Sequence, residues 1–460
     1  MGRTSLRVIV ILLLLLVAVV APVLVEGYSE LNKAAASDSY PAIAEHYLRA
    51  AQRLPWRADL YELAGHAFFH AGEYARADEV YRSAFEKNVL TPEGWAAWGD
   101  VNYLNDNPTQ AVEIWNRGLQ QKEFSDGLYQ RLAYAFQEQG DFPKAADYLQ
   151  IYAAHRPEDA SAHYQLGLLL TLSDPLSALT ELITASQLDP QFDSPAQTLR
   201  SALNLALLND LPSERFVIIG SGLGLVNVWQ LARAAFESAV QADESNAEAW
   251  AWLGEAKQQN GEEGSVELDR ALELNPNSPI VRGLRGLYFQ RTGNFPQALI
   301  EYQTAATLDP QDPERFFSLG DAFALNGDLI RALESFQYAV TLAPNDAATW
   351  RALAEFCGRH GIHLNDIGIP AAQRAVTIAP NDSLAEATLG WLWYLNGDAV
   401  SAERHLLRAL ELDSQNTRAY LHMGVLYLQS NDRTRAFDHL TRARDLGSSE
   451  ADALLKQYFP

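Results

Sequence analysis

Cysteine is almost absent: Cys357 stands alone among 460 residues. No intramolecular disulfide can form, and a structural zinc site built on two or more cysteines is excluded by count. The chain also lacks GxxxxGK[ST], HExxH and GxSxG. That removes the phosphate-cradling loop, the helical zinc-protease motif and the nucleophile elbow. Basic residues are scarce, 35 Lys and Arg against 58 Asp and Glu, for a net charge of −23. Residues 1–25 hold Arg3 and Arg7 and no acid, so the remainder carries 33 bases against 58 acids, or −25. A surface of that sign repels phosphate backbones, which argues against nucleic acid as a partner. It suits colloidal solubility and, secondarily, basic partners.

Long apolar runs are scarce as well, with one exception. Val8–Val25 is an 18-residue stretch without a charge or a strongly polar side chain. As a helix it measures roughly 27 Å, close to the hydrocarbon thickness of a bilayer. The small-residue cluster Ala34-Ala35-Ala36 lies well beyond the run, and Val19 and Ala21 are followed by Pro22, a poor setting for cleavage. The run is therefore predicted to be an uncleaved transmembrane anchor. Arg3 and Arg7 on one side and Glu26 and Glu30 on the other put residues 1–7 in the cytoplasm and the rest outside it. That makes a single-pass protein of the membrane, bacterial in character. A cleaved, secreted chain is the alternative.

What the sequence has in abundance is self-similarity. RFFSLGDAFALNGDLIRALESFQYAVTLAP (315–344) recurs in altered form at 282–310, 386–413 and 419–447. Gly286 and Gly320 are 34 apart, as are Gly390 and Gly424. Each unit reads as two helices joined by a Gly-containing turn and closed by Pro, as at Pro276, Pro310, Pro344 and Pro380. In one unit, Phe316, Leu319, Gly320 and Phe323 lie on the first helix, and Ala332, Phe336 and Ala339 on the second. The pattern resembles the tetratricopeptide repeat, whose period is 34 and whose marks are these small and aromatic positions. The small residue recurs at Gly65, Gly99, Ala133, Gly167, Gly220, Gly254, Gly286, Gly320, Ala354, Gly390 and Gly424, or about eleven units.

The resemblance implies an all-α, right-handed superhelical solenoid of antiparallel helix pairs. The boundaries are a cytoplasmic segment 1–7, an anchor 8–25, a first block of repeats 26–190, a joint 191–211, a second block 212–447 and a capping helix 448–460. The joint arises because Gly167 and Gly220 are 53 apart, one helix more than a repeat. Phe216–Ile219 looks strand-like but falls in helical register. Before the first full unit, Pro41–Leu54 reads as a lone second helix.

Little reads as chemistry. His360, His363 and Asp366 share a long loop but lack further ligands for a metal. His405, His422 and His439 recur every 17 residues, half the repeat period. Gly220–Gly224 (GSGLG) lacks the strand a dinucleotide fingerprint needs. No catalytic, cofactor or metal residues are assigned, and the chain is read as a non-enzyme. In the family it resembles, first helices line a concave face that binds a protein or peptide. Carried over unit by unit, that face comprises Glu62, His66, Phe69, Asp100, Tyr103, Gln130, Tyr134, Gln137, Tyr164, Trp252, Glu255, Gln258, Phe317, Asp321, Trp391 and Tyr394. The function implied is an extracytoplasmic interaction scaffold. A subunit or enzyme of envelope polysaccharide synthesis or export is the alternative.

Overall fold

The computed structural model describes the backbone of residues 2–121 and 125–459, and side chains from Ala18 onward except Val19. Among these residues there are 26 α-helices, one 3-10 turn (Pro190–Phe192), one π turn (Leu364–Gly368) and no strand.

Six of the repeats close through one recurring contact. Gly65 lies on the helix Asp59–His70, and a Cβ there would stand 2.7 Å from the Tyr81 ring on Tyr74–Glu86. The missing side chain is what lets the fully buried Tyr81 ring lie against the first helix. The same exchange joins Gly99 to Trp115 (1.9 Å), Gly286 to Tyr302 (2.8 Å), Gly320 to Phe336 (2.8 Å), Gly390 to Leu406 (2.8 Å) and Gly424 to Leu440 (2.6 Å). The large residue always sits sixteen positions after the glycine. Burying it contributes about 1.5–3 kcal/mol per repeat.

The helix ends follow from side-chain chemistry. Asp328 accepts a bond from the Arg331 backbone N–H at 3.0 Å, and Asp141, Asp398 and Asp432 do the same on equivalent helices. Much of the acidic excess therefore works as helix caps. Gly327 adopts φ +82° between Pro313–Leu325 and Leu329–Leu342, a conformation open to glycine without strain.

Two compact units emerge: Met1–Asp210 with Ile218–Ala235, and Leu211–Val217 with Phe236–Pro460. The added length after Gly167 forms the helix Asp193–Leu207, which buries Ala196, Leu199, Leu203 and Ala206. Phe216–Ile219 and the glycines of GSGLG are helical, within Pro212–Leu225. The 360–366 segment differs from a plain loop. After Gly361 and His363 at positive φ it winds into the π turn and passes directly into Ile369–Ile378. The last helix, Ser449–Tyr458, covers Leu440 and Ala443 with Ala451 and Leu455.

At the start, one helix runs from Gly2 to Ala35, and Tyr40–Arg53 folds back along it. Glu30 meets His46 at 2.7 Å, Glu26 pairs with Arg53, and Gly27 faces Leu54. The partner helix of Pro41–Leu54 is thus the end of the same helix that carries the apolar run. No helix among the described residues is long and apolar enough to cross a membrane. The side chains of residues 8–17 and Val19, most of the Val8–Val25 run, lie outside the described residues.

Candidate functional site

Five of the sixteen groove positions converge. Phe69, Asp100, Tyr103, Gln130 and Tyr134 line one pocket of about 350 Å³, together with Leu104, Trp115 and Arg131. Three successive first helices supply most of it: Asp59–His70, Pro92–Leu104 and Asp126–Glu138. Tyr103 is the hub, 5.9 Å from Trp115 and 6.1 Å from Tyr134 between ring centroids. Trp115 comes from the second helix behind. It reaches the pocket because Gly99 presents no side chain, and its indole N–H donates to the Ala96 carbonyl at 3.1 Å. Burial, then the neighbouring Tyr134 phenol and the Glu138 carboxylate, push the Tyr103 hydroxyl above its ordinary pKa. It stays a protonated donor at neutral pH. Tyr134 is 54% exposed and Leu104 53%, an apolar mouth open to solvent.

The acids predicted to face a partner are already engaged. Arg131 binds Asp100 through two bonds, Nε to Oδ1 at 2.6 Å and Nη2 to Oδ2 at 2.7 Å. Arg291 does the same to Glu255, which is 3% exposed. Arg359 reaches Asp321 at 3.3 Å, and Arg418 reaches Glu355 at 2.5 Å. In each case an arginine from a later repeat neutralises the acid following the small residue of an earlier one. Burial raises the Asp321 carboxyl above its ordinary value, an effect that Arg359 opposes. Glu62, 6% exposed, accepts from the Thr91 backbone N–H at 2.7 Å and the Thr91 hydroxyl at 2.5 Å. Burial alone would raise it, but the bonds from His66 and Thr91 prevail and its pKa is lowered. Glu62 is a lock between repeats, and these positions offer far less free acid than the sequence suggests.

The remaining positions are spread along both units. His66 is bonded to the Tyr81 hydroxyl at 2.9 Å. Gln137 is half-buried. Tyr164 stacks on Phe192 at 4.8 Å, and Phe317 packs against Phe336 at 5.8 Å. Trp252 stacks on Phe236 at 5.9 Å, while Gln258 has its buried Nε2 without a partner. Trp391 is stacked with Tyr394 at 4.9 Å and with His422 at 4.3 Å. That stack borders a second hollow of about 330 Å³, walled also by Glu355, Arg359, Thr388 and Arg418. Sequence reasoning missed Leu104, Trp115, Arg131 and His422. Trp115 had a usable signal, since it occupies the covering position sixteen after Gly99. Of the other histidines, His360 packs on Phe356, His363 bonds Asp366 at 2.9 Å and His405 bonds Glu386 at 2.7 Å.

A tetratricopeptide-repeat family profile matches residues 131–191, 257–313 and 284–347. Over those residues the chain carries tetratricopeptide repeats. A curated relative is the cell division cycle protein 27 homolog of Caenorhabditis elegans, 27% identical over 140 residues. That match covers 30% of this chain and 18% of the relative, so the chain spans less than a fifth of the relative's length. Solved structures of similar fold include yeast Tom70, at 14% identity and TM-score 0.44, covering 80% of this chain and 94% of that one. A tetratricopeptide repeat protein from Parabacteroides merdae is 15% identical with TM-score 0.44, covering 53% and 98%.

Proposed function

We propose that this chain is a non-catalytic interaction scaffold, anchored in a membrane, that holds a protein or peptide partner by a bulky apolar side chain. The pocket between Phe69, Tyr103, Leu104 and Tyr134 carries this reading. It is apolar, open, and walled by large rings. The acids around it are paired, so recognition rests on shape and apolar burial. The overall charge of −23 favours partners with basic flanks.

The anchor is the Val8–Val25 run, supported by its length and by Arg3 and Arg7 ahead of it. In this reading the N-terminus is cytoplasmic and the repeats are extracytoplasmic. The test is photocrosslinking in native membranes from position 103 or 134, with position 82 as control. One partner captured at both pocket sites and not at the control supports the scaffold. Equal, sparse capture at all three sinks the pocket assignment.

A further inference from the structure

The helix that carries the apolar run does not stop at its end. It continues through Glu26, Gly27 and Glu30 into the first repeat, and Tyr40–Arg53 returns antiparallel along it. The register is fixed by the Glu30–His46 bond at 2.7 Å, the Glu26–Arg53 pair and the seat of Leu54 on Gly27. Moving toward the C-terminus of the second helix is therefore moving back toward Val25. The turn that follows, Leu54-Pro55-Trp56-Arg57, is closed by a bond from the Arg57 N–H to the Leu54 carbonyl at 2.8 Å. It lies at the level where the apolar run ends.

At that level the surface is apolar and aromatic although it faces outward. Val25 is 69% exposed, Tyr28 50% and Trp56 58%. A large exposed indole is costly in water and well placed at the headgroup layer of a bilayer, where its ring is buried and its N–H stays wet. We infer that the turn Leu54–Arg57 is a second membrane contact, with Trp56 and Tyr28 seated in the interfacial layer of the bilayer that the Val8–Val25 helix crosses. This rests on the anchored reading above and adds a surface to it.

Lipid charge does not drive the contact. Arg57 is held by Asp59 through Nε to Oδ1 at 2.9 Å and Nη2 to Oδ2 at 2.7 Å, and Arg53 is taken by Glu26. Arg49 and Lys33 both approach Glu30. With its cations paired, the turn has little net charge to offer an anionic headgroup, so its affinity comes from the rings.

The experiment uses the full chain carrying Cys357→Ala, with Trp56→Cys, Tyr28→Cys or Gln139→Cys labelled with a polarity-sensitive fluorophore. Each is reconstituted in phosphatidylcholine vesicles containing a lipid spin-labelled near the headgroup. Flotation of the vesicles reports the anchor separately. Quenching at 56 and 28 at least about twofold that at 139, unchanged when phosphatidylglycerol is added, is the expected result. If the chain floats with the vesicles but 56 and 28 are quenched no more than 139, the turn is not a membrane contact while the anchor stands. Quenching that appears only with phosphatidylglycerol overturns the ring-driven contact. A chain that fails to float refutes the anchor, and this contact falls with it.

Discussion

Arg291 holds Glu255 in a fork, with Nη1 to Oε2 at 2.7 Å and Nη2 to Oε1 at 2.8 Å, across 36 residues of sequence. A planar guanidinium matched to a buried carboxylate fixes both the spacing and the orientation of neighbouring repeats. Arg131 and Asp100 repeat the arrangement in the N-terminal unit. Such bonds stitch one helix pair to the next where packing alone would let the pairs slide.

Removing the cation should therefore cost more than softening the anion. Arg291→Ala strands a buried carboxylate and is expected to destabilise the adjoining repeats by about 2–3 kcal/mol, less than for a fully enclosed pair because Arg291 itself is partly exposed. Glu255→Gln keeps the shape and costs less. Hydrogen exchange of the helices Ala247–Gln259 and Pro279–Arg291 reads this locally, as a repeat array requires. Unchanged protection in Arg291→Ala would contradict a stitching role.

Glycine 99 tests the recurring closure. A methyl there would fall 1.9 Å from Trp115 Nε1, so the indole must leave both its seat and its bond to Ala96. Gly99→Ala is expected to cost about 1–3 kcal/mol by overpacking, and to disturb the pocket that Trp115 helps line. Gly72→Ala meets open space but a φ of +74°, for a smaller loss of about 1 kcal/mol. Thermal unfolding of the two variants side by side gives the order.

Acidification should reach the C-terminal repeats through His422. Burial, and then the Arg418 charge, bring its pKa from 6.5 down to about 3, so the folded chain holds it neutral against Trp391. The unfolded chain binds the proton first as pH falls. Stability from this group is complete above pH 6.5 and declines below it, by about 2 kcal/mol at pH 5, until the decline ends near the folded value. His422→Phe should flatten that slope between pH 6.5 and 5 in denaturant titrations. An unaltered slope would assign the titration elsewhere.

Tyr134 separates binding from folding. With half its surface exposed, Tyr134→Ala should leave the unfolding transition within about 0.5 kcal/mol. The same change should weaken partner capture at least tenfold, the measure of an anchor pocket losing a wall. Capture efficiency and thermal unfolding on the same preparation decide it.

How far the sequence speaks is clear from particular residues. Gly320 and Phe336, or Gly424 and Leu440, are visible as paired signals because both lie within one repeat and their offset recurs. The aromatic members of the pocket, Phe69, Tyr103 and Tyr134, follow from register for the same reason. Charge did not. Glu62 and Glu255 read as free acids until Thr91 and Arg291 reach them from the next repeat, 29 and 36 residues on. Composition counts an acid and cannot say whether a later arginine has cancelled it. Trp115 was legible only through its offset of sixteen from Gly99, since a residue of the second helix reaches the first-helix face through the gap left by that glycine.

The helix Gly2–Ala35 has a consequence of its own. With no hinge between Val25 and the residues that grip Tyr40–Arg53, the first repeat is keyed to the proposed anchor like a cog on a shaft. One residue inserted after Val25 would turn that repeat by about 100° and lift it by about 1.5 Å relative to the apolar run. Four residues would nearly restore the heading at a greater height. The direction in which the scaffold presents its pocket is then written in the count of residues between anchor and repeat, and single insertions become a means of steering it.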